Sequence, residues 1–480
     1  MGRHSIDQHG EIRNWESSET YKPARLAKPR SADDIVEILT DTAGYPSPVR
    51  AIGSMHSPAR CCGDDGGTVV DMTGMDRILD IQPDRVTVEA GALLIDVTQV
   101  LAEQGLQFHM NMEIGNITLG AAACGATKDS SIPGSQEFGQ QSSYVLGVKL
   151  VKPSGEICEI TERDNPEDMK LIRSSYGLCG IIYEVTLQVR PLTALSVVHR
   201  RFTLERFRAE FPKLVAEGHG LMMYFFPHVN RITVELRQEA PERTPSARLA
   251  WSLRNAFWRR YGPLVALTID RISPTRSIKF ALEQTFHFLI SGSIVRFVRG
   301  RSTHPQAQII RYPDDPGAVK YVFSMWAFPE EGFFDILEEY FAFCREHYEK
   351  TGFKCDLPNV GYRISKDQKA LLSYTYDDTV LSIDPVSTGG PGWHDFLRAY
   401  NVFCSERGGS PLLNQTKFLT AAQLRKSFGV RIAQFAAARK QWDPSNRLLS
   451  SHFEALLADP AAEAEPSAGM EQAASRAAGA

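Results

Sequence analysis

The chain has 480 residues, 43% hydrophobic and 23% charged, the balance of a globular protein long enough for two or three domains. With 53 Lys and Arg against 57 Asp and Glu the net charge is −4, which gives no electrostatic ground for a nucleic-acid partner. Eight scattered cysteines exclude a disulfide scaffold, and Cys61-Cys62 lacks metal-site spacing, so reduced thiols, a cytoplasmic location and no metal site are expected.

Met1 to Asn14 is polar and lacks the apolar run of a signal peptide, and no run of about 18 apolar residues predicts a spanning helix. Ser31 followed by Ala-Asp-Asp predicts a capped amphipathic helix with acids in its first turn. Pro48–Ile52, Thr68–Met72 and Arg85–Gly91 read as strands, and Leu94–Gln104 as a helix. Gly or Ala fills eight positions from Gly115 to Gly134, where patterning lapses; such stretches are usually functional loops. Tyr144 to Ile160 reads as two strands around Pro153-Ser154-Gly155, and Ile181–Pro191 as a strong strand closing the unit.

Beyond Pro191, Leu221–Pro227, Tyr321–Ala327, Asn359–Ile364 and Ala370–Tyr376 suggest strands of a mixed sheet. Ala247–Ile290 is helical in pattern, with interruptions expected at Pro263 and Pro274. Its aromatic and arginine-rich part, Trp251–Arg260, reads first as a core stripe with a solvated face; peripheral membrane contact or a subunit contact are the alternatives. Gln423–Arg439 is an amphipathic helix stopped at Asp443-Pro444, and Asp459–Ala480 has the composition of a disordered tail.

Four segments in order carry a family resemblance: Ile52-Gly53-Ser54-Met55-His56-Ser57-Pro58; Val70-Asp71-Met72 with Val88-Glu89-Ala90-Gly91; Thr118-Leu119-Gly120-Ala121 through Gly125-Ala126-Thr127-Lys128; and Gly177-Leu178-Cys179-Gly180-Ile181-Ile182. Tyr224 to His228 and Arg439 to Leu449 extend it. Together they resemble the vanillyl-alcohol-oxidase-type (PCMH-type) FAD-linked oxidases, and within them the aldonolactone and alditol oxidases. The resemblance implies an α+β fold: an FAD-binding domain over 1–192, a mixed-sheet substrate or cap domain over 193–420, a segment over 421–457 returning to the first domain, and a disordered tail over 458–480.

The cofactor implied is FAD, held by Ile52, Gly53, Ser54, Met55, His56 and Ser57 in the first loop. Gly115, Thr118, Gly120, Gly125 and Thr127 belong to the second, and Gly180 and Ile182 to the third. His56 resembles the histidine that such oxidases bond to the flavin 8α-methyl. Small residues would let backbone N–H groups approach the pyrophosphate. The activity implied is oxidation of a CH–OH group by hydride transfer to flavin N5, with a small-molecule substrate and oxygen or another acceptor. Catalysis needs a base or polarising group. Where relatives carry Glu-x-Arg and His-Trp-x-Lys, this chain offers Arg363, Asn414, Gln415 and Lys417. Leu412 and Leu413 suggest a more apolar pocket, which leaves open a flavin-dependent reductase of a lipid-like or sterol-like enone. A flavin-binding protein without catalysis is the third reading. Oligomeric state and the choice between oxidase and dehydrogenase stay open.

Overall fold

The computed structural model describes residues 10–245, 247–314 and 318–458, so most of the predicted tail lies outside the described residues. A parallel three-stranded sheet opens the fold: β1 (Arg25–Ala27), β2 (Val49–Ile52) and β3 (Thr68–Asp71), in the order β1-β3-β2. Between β1 and β2 runs α1 (Ala32–Thr40). Ser31 caps it as the sequence predicts, and the cap is a reciprocal capping box: Ser31 Oγ accepts from the Asp34 amide, and Asp34 Oδ2 from the Ser31 amide.

A second sheet is antiparallel: β4 (Ile78–Gln82), β5 (Arg85–Glu89), β6 (Leu106–Phe108), β7 (Val145–Val151), β8 (Ile157–Thr161) and β9 (Ile181–Pro191). Its order is β8-β7-β9-β5-β4, with β6 on the far end of β9. The alternation Val185, Leu187, Val189 buries one face of the central strand. The short helix α2 (Leu119–Cys124) follows the small-residue loop and is tied to the strand ends: the Leu119 and Gly120 amides donate to the carbonyls of Ala92 and Ala90.

The third sheet has seven strands: β10 (Ala194–Phe202), β11 (Gly220–Phe226), β12 (Arg231–Ala240), β13 (Trp326–Pro329), β14 (Asn359–Ile364), β15 (Val380–Ile383) and β16 (Ser410–Pro411). Their order is β10-β12-β11-β14-β15-β13-β16. Every ladder in it is antiparallel, where the sequence suggested a mixed sheet. Ala370–Tyr376 is no strand either. Its polar groups are taken up individually: the Leu371 amide by the Lys170 carbonyl, the Leu371 and Ser373 carbonyls by Arg431, the Ser373 and Thr375 hydroxyls by Gln140.

Three helices follow β12: α3 (Ala247–Ala256), α4 (Gly262–Ile272) and α5 (Arg276–Phe297). Pro263 does not break the run. A π-turn over Phe257–Tyr261 leads directly into α4, and proline's missing N–H falls in that first turn. The break comes at Ser273-Pro274. The predicted Gln423–Arg439 helix is split by Gly429, whose φ of 55° ends one helix and starts α6 (Val430–Trp442).

The chain end then returns to the first sheet. The Val49 amide donates to the Arg447 carbonyl, and the Arg447 guanidinium donates to the Ile38 and Leu39 carbonyls and to Ser47 Oγ. Asp443 holds this turn through the amides of Arg447 and Leu448. No helix of the described residues is long and apolar enough to cross a membrane.

Candidate active site

Two cavities meet between the first two sheets and the seven-stranded sheet. The larger, about 1110 Å³, runs along the loop after β2, past Thr118 and Gly120, to Gly177, Gly180 and Ile182. The other, about 930 Å³, lies beneath β11, β14 and the π-turn. Ile114, Ile117, Thr127, Phe323 and Gln415 line both, so they share a wall.

Most of the predicted cofactor residues line the first cavity: Ile52 to Ser57, Thr118, Gly120, Gly125, Thr127, Gly180 and Ile182. Gly115 does not; a Cβ there would meet Ile309 and Ile95 side chains, so its small size serves chain packing. Gly53 works similarly. A Cβ on it would lie 2.0 Å from Thr118 Oγ1, so the missing side chain lets the first and second loops touch. Met55 occupies the left-handed region at φ 53°, a conformation better suited to glycine, and is held there by the Trp15 amide bonding its carbonyl. The Trp15 ring stacks on His56 at 5.0 Å, fixing the imidazole against the cavity.

Arg50 went unnoticed in the sequence because it sits in an apolar strand. It is buried, lines this cavity, and donates to the carbonyls of Cys61, Tyr176 and Gly177 in the cavity wall and of Leu448 behind it, so it joins three separate chain segments. None of these partners is a carboxylate, so its charge is not neutralised by them. Burial lowers its pKa.

The four residues expected to carry catalysis separate. Gln415 lies on the shared wall, where its Oε1 is 3.4 Å from Lys128 Nζ. Asn414 lines the first cavity and donates to Ser57 Oγ. Arg363 lies in neither cavity lining and pairs with Glu330 at 2.5 Å. The reason is strand parity: Val360 and Tyr362 of β14 line the second cavity, and the next side chain points to the other face. Lys417 also lies outside both linings, bonded to Glu19 at 2.7 Å and Ser18 at 2.9 Å.

What the sequence did not single out is an ion pair at the junction. Lys128 Nζ lies 2.8 Å from Asp384 Oδ2; both side chains are buried and both line the second cavity. The ammonium also stands over the Tyr362 ring at 5.2 Å. Burial raises the Asp384 pKa, opposed by the Lys128 charge and Ser382. Its Oδ1 is buried and lacks a hydrogen bond of ordinary geometry. Behind it, Arg237 joins Asp129 at 2.5 Å and Glu235 at 2.7 Å, and Arg254 pairs with Glu113. Burial pushes Asp129 up to about 6 despite that arginine. The rest of the wall is largely apolar, with six aromatic rings, Tyr224, Trp258, Tyr312, Tyr321, Phe323 and Tyr362, among aliphatic side chains such as Ile117, Met222 and Val360.

Comparison with known proteins places this geometry. Residues 23–161 match the FAD binding domain family, and with the match that follows this makes the chain an FAD-linked oxidoreductase. Residues 185–456, more than half the chain, match the D-arabinono-1,4-lactone oxidase family, and the protein belongs to it. L-gulono-1,4-lactone dehydrogenase of Mycobacterium tuberculosis is 24% identical over 92% of this chain and 98% of that protein. L-gulonolactone oxidase of Mus musculus is 23% identical over 93% and 98%. A crystal structure of cholesterol oxidase from B. sterolicum superposes with TM-score 0.74 at 14% identity, covering 93% of this chain and 96% of that one, a likeness of fold.

The first cavity suits FAD on its own terms. The backbone amides of Ser54, Met55 and Ser57 donate no hydrogen bond within the described protein, and Ser54 Oγ, Thr127 Oγ1 and Asn414 Oδ1 are buried without partners. Unused donors beside the Arg50 cation match a pyrophosphate. The second loop contributes less than the sequence suggested, because its Leu119 and Gly120 amides are already spent on Ala92 and Ala90.

Proposed function

We propose that the protein oxidises the CH–OH group of a sugar lactone bound in the second cavity. The observation that carries this is the Lys128–Asp384 pair on the wall shared with the FAD cavity. Bound FAD supplies the hydride acceptor. Lys128 presents its cation to the substrate oxygen and stabilises the charge that develops as the hydroxyl proton leaves. Asp384 takes that proton at Oδ1. Gln415 holds the ammonium in place across the shared wall. The Trp258 and Tyr224 rings, stacked on each other at 5.3 Å, offer flat faces to the C–H side of a ring, while Glu113 offers acceptors to its hydroxyls.

The names of the relatives direct the test. Anaerobic addition of L-gulono-1,4-lactone or D-arabinono-1,4-lactone should bleach the flavin absorbance. Bleaching by NAD(P)H alone, with no lactone active, would replace this reading with a reductase.

The position of His56 in the cavity wall supports covalent attachment of the flavin. Acid precipitation should leave flavin with the wild-type protein and release it from His56→Ala. Flavin lost from the wild type refutes the link.

A further inference from the structure

The large hydrophobic residues exposed on this molecule concentrate on one segment. On α3, Leu249 and Leu253 are four apart and face solvent, Leu249 at 70% exposure. On α4, Leu264, Val265 and Ile272 form an outward stripe; on α5, Ile278, Leu282 and Leu289 repeat at helical spacing. Each helix already buries another face: Trp251 and Ala247 on α3, Ala266 and Ile269 on α4, Ile290 on α5. These outward stripes are therefore additional apolar surface, beyond what packing on the sheet requires.

The charge of the same segment is one-sided. From Ala247 to Phe297 its acids are Asp270 and Glu283. Asp270 is paired with Lys279, and Glu283 is buried beside Lys354. Arg248, Arg259, Arg260 and Arg271 are exposed. A cationic, outward-apolar helical surface on a chain of net charge −4 complements an anionic lipid surface. A second copy docked through the same face would set these arginines against one another, which an anionic lipid surface does not.

We propose that α3, the π-turn and α4, continued by α5, form a docking surface for an anionic lipid bilayer. Trp258 and Pro263 of this segment line the second cavity, so docking sets the membrane against one wall of the substrate chamber. The proposal is independent of which substrate is oxidised.

Flavin-loaded full-length protein is mixed with phosphatidylcholine vesicles, with or without phosphatidylglycerol, and sedimented. We expect binding to the anionic vesicles, weakened by salt. Leu249→Glu/Leu253→Glu should abolish it, and Arg259→Glu/Arg260→Glu should weaken it by roughly tenfold or more. Both variants should keep their flavin and the lactone bleaching of wild type, since none of the four residues is part of either cavity lining. Wild-type protein left in the supernatant with both vesicle types at low salt overturns the proposal. So does a stable dimer that Leu249→Glu/Leu253→Glu converts to monomer without any loss of sedimentation.

Discussion

At the scale of single residues, the cavity junction turns on Lys128 and Asp384. Lys128→Met removes the only member of the pair able to stabilise an oxyanion, and kcat should fall by about 10²–10³ with flavin content unchanged. Asp384 must be ionised to accept the proton, so activity is lost as pH falls through its folded pKa. Because burial raises that pKa above the ordinary 3.8, the acid limb of the kcat/KM profile should lie higher than for an exposed aspartate. Asp384→Asn should lower the rate by about 10²–10⁴ and remove this limb. A profile unchanged in the variant would assign the proton to another group. The pair was illegible in the sequence because it joins a loop of the FAD unit to the end of β15, and only the closed fold brings them together. Arg363 misled for a simpler reason. Without the register of β14, nothing in the sequence said that Tyr362 rather than Arg363 faces the cavity.

At the scale of elements, the small-residue loops were legible because each is contiguous and ordered along the chain. What the sequence could not say is how each glycine is used. Gly53 is a contact between loops, so Gly53→Ala should push the β2 loop off Thr118, costing about 1–3 kcal/mol and most of the bound flavin. Adding Thr118→Ala removes the two closest atoms and leaves its Cβ at 3.0 Å, so the double variant should recover much of the melting temperature. An additive loss, measured by thermal unfolding and the flavin-to-protein absorbance ratio, would show that the loops do not depend on this contact. The helical segment after β12 gives a related lesson. Its periodicity predicted helices, yet periodicity alone could not separate the stripes that pack inward from those that do not.

At the scale of the whole molecule, the Asp443 to Leu448 segment ties back to the first helix. Arg447 Nε reaches the Leu39 carbonyl across 408 residues, and its terminal nitrogen reaches Ile38. These carbonyls belong to the last turn of α1, which carries no basic residue of its own there, so a distant side chain serves as its C-terminal cap. Arg447→Ala leaves both carbonyls poorly satisfied and should cost about 2–4 kcal/mol, read from denaturant unfolding. A cost near zero would mean that water replaces the guanidinium. The resemblance of Arg439 to Leu449 to a known closing segment made the return legible in outline; the cap on α1 was not, since its partners are carbonyls that any residue supplies. The arrangement also orders events during translation. The first sheet and its helix are made some 400 residues before the piece that caps α1 and offers the Leu448 carbonyl to Arg50 (separations of 398 and 408 residues). A nascent chain stalled before Asp443 would hold every flavin-loop residue and still lack one of the carbonyls that fix Arg50, so firm acquisition of the flavin is expected to wait until the Asp443 to Leu448 turn has been made.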